Sequence, residues 1–426
     1  MENRYDKYKD SGIAWIGEIP EHWEVCSIKQ IMKNKSIKGF PNETVLSLYR
    51  DFGIIPKDSR DDNHNVTSED TSNYKLVENG DFVINKMKAW QGSMAISDFK
   101  GIISPAYYIC KIFSPKVVRK YIHYLLRDES YKAEYMRLST GMRIGQWDLN
   151  IDDFLQINTI LPLLSEQQSI ATYLDQKCGE IDELITLQEE MITKLQSYKQ
   201  SVITEAVTKG LDKNVPLKDS GIEWIGNTPE HWNKNKIIRL FGIIGSGTTP
   251  KSSKEDNYIG SVNWIQSGDI NGGYIESCKN TISDTALKEY TTLKIYKAPF
   301  IIVAMYGASV GNISISNIDG CVNQACCVMN ETKQNFKYLF YAMNSVKKYL
   351  IYKAEGGGQP NISQDKIKNT WLPIPTLSEQ QSIANYLDQK CSEIDELISI
   401  KQQKIEKLKD YKKSLIFECV TGKRKV

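Results

Sequence analysis

Asp319, Glu331 and Lys333 place two carboxylates and a lysine in the order used by metal-dependent nucleases, where the acids hold the ion that activates water. The proline that should precede such a set is missing, and the related stretch that begins at Lys100 and Ile112 carries no equivalent acids. GIIGSGTTPK (242–251) has the glycines of a phosphate-binding loop but lacks the lysine that must follow the second glycine, so nucleotide hydrolysis is unsupported. Two adjacent prolines occur nowhere, which removes the Asn/Asp-Pro-Pro-aromatic motif of amino-methyltransferases. Cys321, Cys326 and Cys327 are the only cysteine cluster, while His22, His64, His123 and His231 are scattered. That pattern favours small buried residues on a strand over a metal site. The expectation is a chain with no catalytic residues and no metal.

With 54 basic and 52 acidic residues the formal charge is +2, so any cationic surface must be local and offset by stretches such as Asp58–Asp62. MENRYDKYKD is no signal peptide, and no apolar run approaches the ~18–20 residues that span a bilayer. Nine cysteines without paired spacing agree with a reducing compartment, and a cytoplasmic protein is expected.

The chain repeats itself. SEQQSIATYLDQKCGEIDELI (165–185) recurs at 378–398 with only Thr172/Asn385 and Gly179/Ser392 changed, and KDSGIAWIGEIPEHW (9–23) recurs as KDSGIEWIGNTPEHW (218–232). Between these anchors the sequences diverge, yet residues 80–110 align with 299–329 without a gap, placing Gly92 on Gly311 and Ala106 on Ala325. Two related domains are implied, each followed by the same helix.

Short β-branched runs (81–87, 94–97, 106–113, 300–306, 312–316, 325–329) read as strands, and 117–138 and 335–354 have helical spacing. Each middle is therefore expected to be an α/β globule with a mixed sheet. Ser165 and Gln168 have capping-box spacing. A first helix is predicted to about Gln176 and a longer one from near Gly179 to Lys209, spanning about 40–45 Å. Its stripe (Ile181, Leu184, Ile185, Met191, Ile192, Leu195, Tyr198, Val202) has a counterpart in Ile394, Leu397, Ile398, Ile405, Leu408, Tyr411, Leu415 and Ile416. The fold class expected is α/β: two mixed α/β domains separated by two long helices packed as an antiparallel coiled coil, with pseudo-twofold symmetry. The boundaries read are 1–160, 161–210, 211–371 and 372–426.

Packing alone would preserve only apolar letters. Glu166, Gln167 and Gln168 against Glu379, Gln380 and Gln381 are polar and identical, which suggests two copies of one partner at symmetric surfaces.

The order of GDFVINKMKAWQGSMAIS, GIISPAY, SGTTPKS, WIQSGDI, AMYGASVGN, VNQA, GGGQPNIS and LPIPTLSEQQSIANYLD, framed by IGEIPEHW and IGNTPEHW, resembles the specificity subunit of type I restriction-modification systems over nearly the whole chain. The resemblance implies that each middle reads one half of a split double-stranded DNA target. It further implies that the helices set the spacer, that two methyltransferase subunits dock on them, and that endonuclease/translocase subunits join the complex. S-adenosylmethionine, ATP and Mg2+ would then belong to partner subunits. One departure is the helix ending, VTKG (207–210) against VTGK (420–423), and the acidic stretch within 57–70 has no assigned role. The alternative class is a non-catalytic helical adaptor that binds proteins.

On a shared framework, the candidate DNA contacts lie in loops whose letters differ between the halves and in the equivalent loops that follow each domain helix. In the first half these are Lys86, Lys88, Trp90 and Gln91, then Arg143 and Gln146. In the second they are Ser246, Thr248, Thr249, Lys251 and Ser252 in a glycine-loosened loop, then Tyr306, Ser309, Gln359 and Asn361. Glutamine suits adenine edges, lysine and hydroxyls suit phosphates, and tryptophan stacks or wedges.

Overall fold

The computed structural model describes residues 4–49, 53–60, 67–68, 70–141, 147–352 and 361–426. The chain divides into two compact units, residues 1–189 with 402–426 (unit 1) and residues 190–401 (unit 2).

In unit 1 the repeated opening motif forms a hairpin, Tyr8–Asp10 on Glu18–Pro20. The next strand, Glu24–Ser27, pairs with Asn158–Leu161, so the globule starts and finishes on one ribbon. Between them lies a four-stranded sheet in the order Met32–Lys35, Tyr107–Ile112, Phe82–Asn85, Met94–Ile96. All its pairings are antiparallel, so the mixed sheet expected here is not found. One face carries Phe82, Ile84 and Met94 into the main core, and alternate residues Val83 and Ala95 enter a smaller cluster.

Unit 2 repeats the plan. Its hairpin is Leu217–Asp219 on Asn227–Pro229, its ribbon Asn233–Lys236 on Trp371–Ile374. The sheet order is Ile243–Gly245, Cys326–Asn330, Phe300–Ala304, Ile313–Ser316, with Tyr274–Ile275 added parallel to the last, so this sheet is mixed. Cys321, Cys326 and Cys327 are fully buried strand residues, and burial pushes the Cys327 thiol up to about 12.

Each predicted domain helix is two. Arg119–Arg127 and Glu129–Leu138 meet at Asp128, whose carboxylate accepts the Ser130 amide and starts the second helix. Phe336–Ser345 and Lys347–Tyr352 are likewise two helices, parted at Val346.

The largest difference from expectation is in the repeated helices. Leu164–Lys209 and Leu377–Val420 are each one continuous helix, of 46 and 44 residues, with no break near Gly179. Gly179 sits on an open helix face, where its propensity cost of about 1 kcal/mol is overridden by the apolar side buried on either flank. Nor does Ser165 cap the first helix. Glu166 reaches back to the Leu163 amide at 3.2 Å, and Glu379 does the same to Thr376 at 3.0 Å, satisfying one free donor at each start.

Within each unit the two long-helix segments run antiparallel. In unit 1, Cys178 and Ile181 pack with Leu415 and Cys419, and Lys412 bonds Asp182 at 2.7 Å. In unit 2, Val202 and Ala206 pack with Ile383 and Leu387, and Lys199 bonds Asp395 at 2.7 Å. The predicted stripe is only partly covered: Leu184, Tyr198, Leu397 and Tyr411 are exposed. Both helices end on a left-handed glycine, Gly210 (φ +78) and Gly422 (φ +73), so the VTKG/VTGK departure moves the cap by one residue without removing it. An added Cβ at Gly210 would lie 3.1 Å from Trp232, and one at Gly422 would lie 3.0 Å from Trp23. The opening-motif tryptophans are thus seats for helix ends.

Candidate nucleic-acid interface

In both units the loops that differ in sequence gather at one end of the sheet. In unit 1 the Phe82–Asn85 strand runs into a 3-10 turn, Lys86–Gln91, started by the Asn85 side chain accepting the Met87 amide and ended by Gly92 at φ +75. The Lys86 amide donates to Ala106 across 3.2 Å, tying this turn to the loop that enters the neighbouring strand. The Lys86 ammonium lies 4.5 Å above the Tyr108 ring, and Lys88 is exposed. The Trp90 indole donates to Met87 at 3.1 Å and leans on Trp147, with ring centroids 5.3 Å apart. Gln91 is half-buried beside it. Arg143 and Gln146 lie outside the described residues, though Trp147, the residue after them, reaches this same turn.

Sequence reasoning missed Lys75. It occupies a three-residue strand whose members are all buried, and its ammonium donates to the Tyr107 carbonyl at 2.7 Å. Burial, and then the charges of Lys86 and Lys38, hold its pKa below the usual lysine range. A buried cation facing two more is a local positive field on a nearly neutral chain, and it favours an anion at this end of the sheet. In a run such as NYKLVEN nothing marks this lysine as interior.

In unit 2 the corresponding end carries Ser246, Thr248, Thr249, Lys251 and Ser252 beyond the Ile243–Gly245 strand, and Tyr306 and Ser309 beyond Phe300–Ala304. Tyr306 pairs with Asn361 in an isolated bridge, and the Met305 amide donates to Ala325 at 2.7 Å, the counterpart of the Lys86 bond. The structure therefore brings the 246–252, 306–309 and 361 candidates together through residues 323–325. Gln359 lies outside the described residues.

The candidate partner surface is corrected by burial. Gln167 is fully buried: its amide nitrogen donates to Lys116 and Pro162, both at 2.9 Å, and its oxygen accepts the Val118 amide at 2.8 Å. Gln380 is buried likewise, donating to Pro375 and Gln334 and accepting from Asn335. Neither offers a surface to a partner; each pins its globule to a long helix. Glu166 and Glu379 are half-buried and engaged by His22 and His231, both at 2.9 Å. Gln168 and Gln381 remain exposed. A second pin was unforeseen. Lys120 and Tyr124 clamp Asp175 in unit 1, and Lys337 and Tyr341 clamp Asp388 in unit 2.

Among the described residues no group of three or more His, Cys, Asp or Glu is arranged to hold a metal ion, and no helix is long and apolar enough to cross a membrane.

Comparison with known proteins follows the same outline. The family model described as "Type I restriction modification DNA specificity domain" matches residues 20–196 and 229–410. A putative type I restriction enzyme MjaX specificity subunit of Methanocaldococcus jannaschii is 25% identical over 433 residues, covering 96% of each chain. The MjaVIII specificity subunit of the same organism is 26% identical over 426 residues, covering 96% of this chain and 94% of its own. Among solved structures, a chain from a study of complex assembly and conformational transition of the type I R-M system superposes with TM-score 0.71 at 15% identity, covering 94% of this chain and 98% of that one. The chain belongs to the type I restriction-modification DNA specificity family. Recognition of DNA sequence is accordingly its function, and the protein-only adaptor is not favoured.

Proposed function

We propose that each unit reads one half of a bipartite double-stranded target and that the chain contributes recognition without catalysis. The observation that carries this reading is that one framework presents different loops at the same sheet end: KAWQ at 88–91 in unit 1 and GASV at 307–310 in unit 2. The long helices set the spacer and dock two methyltransferase subunits, to which endonuclease/translocase subunits are added. S-adenosylmethionine, ATP and Mg2+ act on those partners, in the cytoplasm.

Support for paired docking comes from exposed apolar residues at repeated positions. Leu184, Leu187 and Tyr411 are exposed in unit 1, and their repeats Leu397, Ile400 and Tyr198 are exposed in unit 2. Solvent-facing apolar side chains on a long helix suit a helical partner. Exchanging residues 24–160 for the corresponding part of a relative, followed by sequencing of methylated sites in cells, tests the reading. One half-site should change and the other persist; a change in both would refute it.

A further inference from the structure

In unit 2, residues 323–326 form a tight turn. The Asn323 carboxamide oxygen accepts the Ala325 amide and the Cys326 thiol, both at 3.1 Å, and the Asn323 amide donates to Ile265 at 3.2 Å. With its neighbours held inward, Gln324 is left exposed at the tip. A second loop grips it there. Thr249 donates its hydroxyl to the Gln324 side-chain oxygen, and Ser246 donates to the Gln324 carbonyl at 3.3 Å. That loop lies so close that a Cβ on Gly247 would fall 1.6 Å from the Val322 oxygen. From behind, the Tyr296 hydroxyl donates to the Ser246 carbonyl at 3.2 Å.

An exposed glutamine ordinarily gives up rotamer freedom when it binds, whereas this one is already held at both ends. Thr249 occupies one of the two lone pairs on the side-chain oxygen. The other lone pair and the amide hydrogens remain, an acceptor beside donors. That pair is complementary to the N6 amino group and N7 of adenine in the major groove. On the aligned framework Pro105 stands where unit 2 has Gln324, with no side-chain donor or acceptor, so the two units differ at a position that both present on the same turn.

We infer that Gln324 is a specificity-determining residue of unit 2, reading an adenine in its half-site, with Thr249 as its positioning residue. The inference rests on the DNA-recognition reading above. The test uses the full chain in complex with its methyltransferase partner, binding a library of duplexes randomised at one base pair at a time. Q324A should lower discrimination at one A·T pair of one half-site by about 10- to 100-fold, leaving the other half-site unchanged. Q324E, which keeps shape but loses the donor, should shift preference at that pair from adenine towards cytosine, and T249A should give a weaker form of the Q324A pattern. Affinity that falls equally for every duplex, or unchanged discrimination in both Gln324 variants, would overturn the assignment while leaving the general reading intact. An unselective wild-type complex would overturn both.

Discussion

The hydroxyl of Tyr341 donates to the carboxylate of Asp388 across 2.8 Å, and burial together with that carboxylate holds the phenol well above its ordinary pKa. Tyr124 and Asp175 repeat the bond at 2.9 Å in unit 1. Each pair fastens a domain helix to a long helix. Y341F should cost about 1 kcal/mol in urea denaturation. D388A, which also strands Lys337, should cost more, and the two changes together should cost less than their sum.

Glu379 supplies a pH dependence. Burial opposes its charge, but hydrogen bonds from Trp232, from the side chain and backbone of Thr376 and from His231 outweigh that and bring its pKa down to about 2 from 4.5. A depressed carboxylate stabilises the fold above its unfolded pKa, and that contribution fades as the pH falls from about 4.5 to 2. With the group partly exposed, E379Q should remove about 1–2 kcal/mol near neutrality and flatten the acid limb. An acid limb identical to wild type would contradict this role of Glu379.

The buried glutamines make a contrast that spectroscopy of thermal unfolding can measure. Q380A would leave the Asn335 amide and the Pro375 carbonyl without their present partner, costing about 1–3 kcal/mol. Q381A, at the neighbouring exposed position, should stay within about 0.5 kcal/mol.

The lysine group of unit 1 predicts salt behaviour. If Lys86 meets a phosphate, K86A should lower the slope of log affinity against log salt by about 0.9. Lys75 should respond as well, its pKa rising towards the ordinary range in K86A because one opposing charge is gone. An unchanged salt slope would remove Lys86 from the contact set.

The repeat made the architecture readable because identical letters at two offsets mark paired helices and paired globules. It did not show which letters face inward. Gln167 sits in the first turn of a helix and looks like solvent surface, yet its partners are Lys116 and Val118, far back in the chain. The clamp was hidden for a related reason. Asp175 and Asp388 follow the helix offset of 213, while Lys120/Lys337 and Tyr124/Tyr341 follow 217, so neither alignment alone pairs the three. The helix runs on through Gly179 because packing on either flank overrides the local propensity of that residue.

Unit 1 is assembled from residues 1–189 and 402–426, and its core includes Leu415, Cys419 and Val420 against Trp23. Unit 2 is one uninterrupted stretch, 190–401. On the ribosome, at about 5–20 residues per second, the later-made unit has all its parts first. The first globule waits with its tryptophan seat uncovered until the last helical turns emerge, so the half that begins the chain is the last to close.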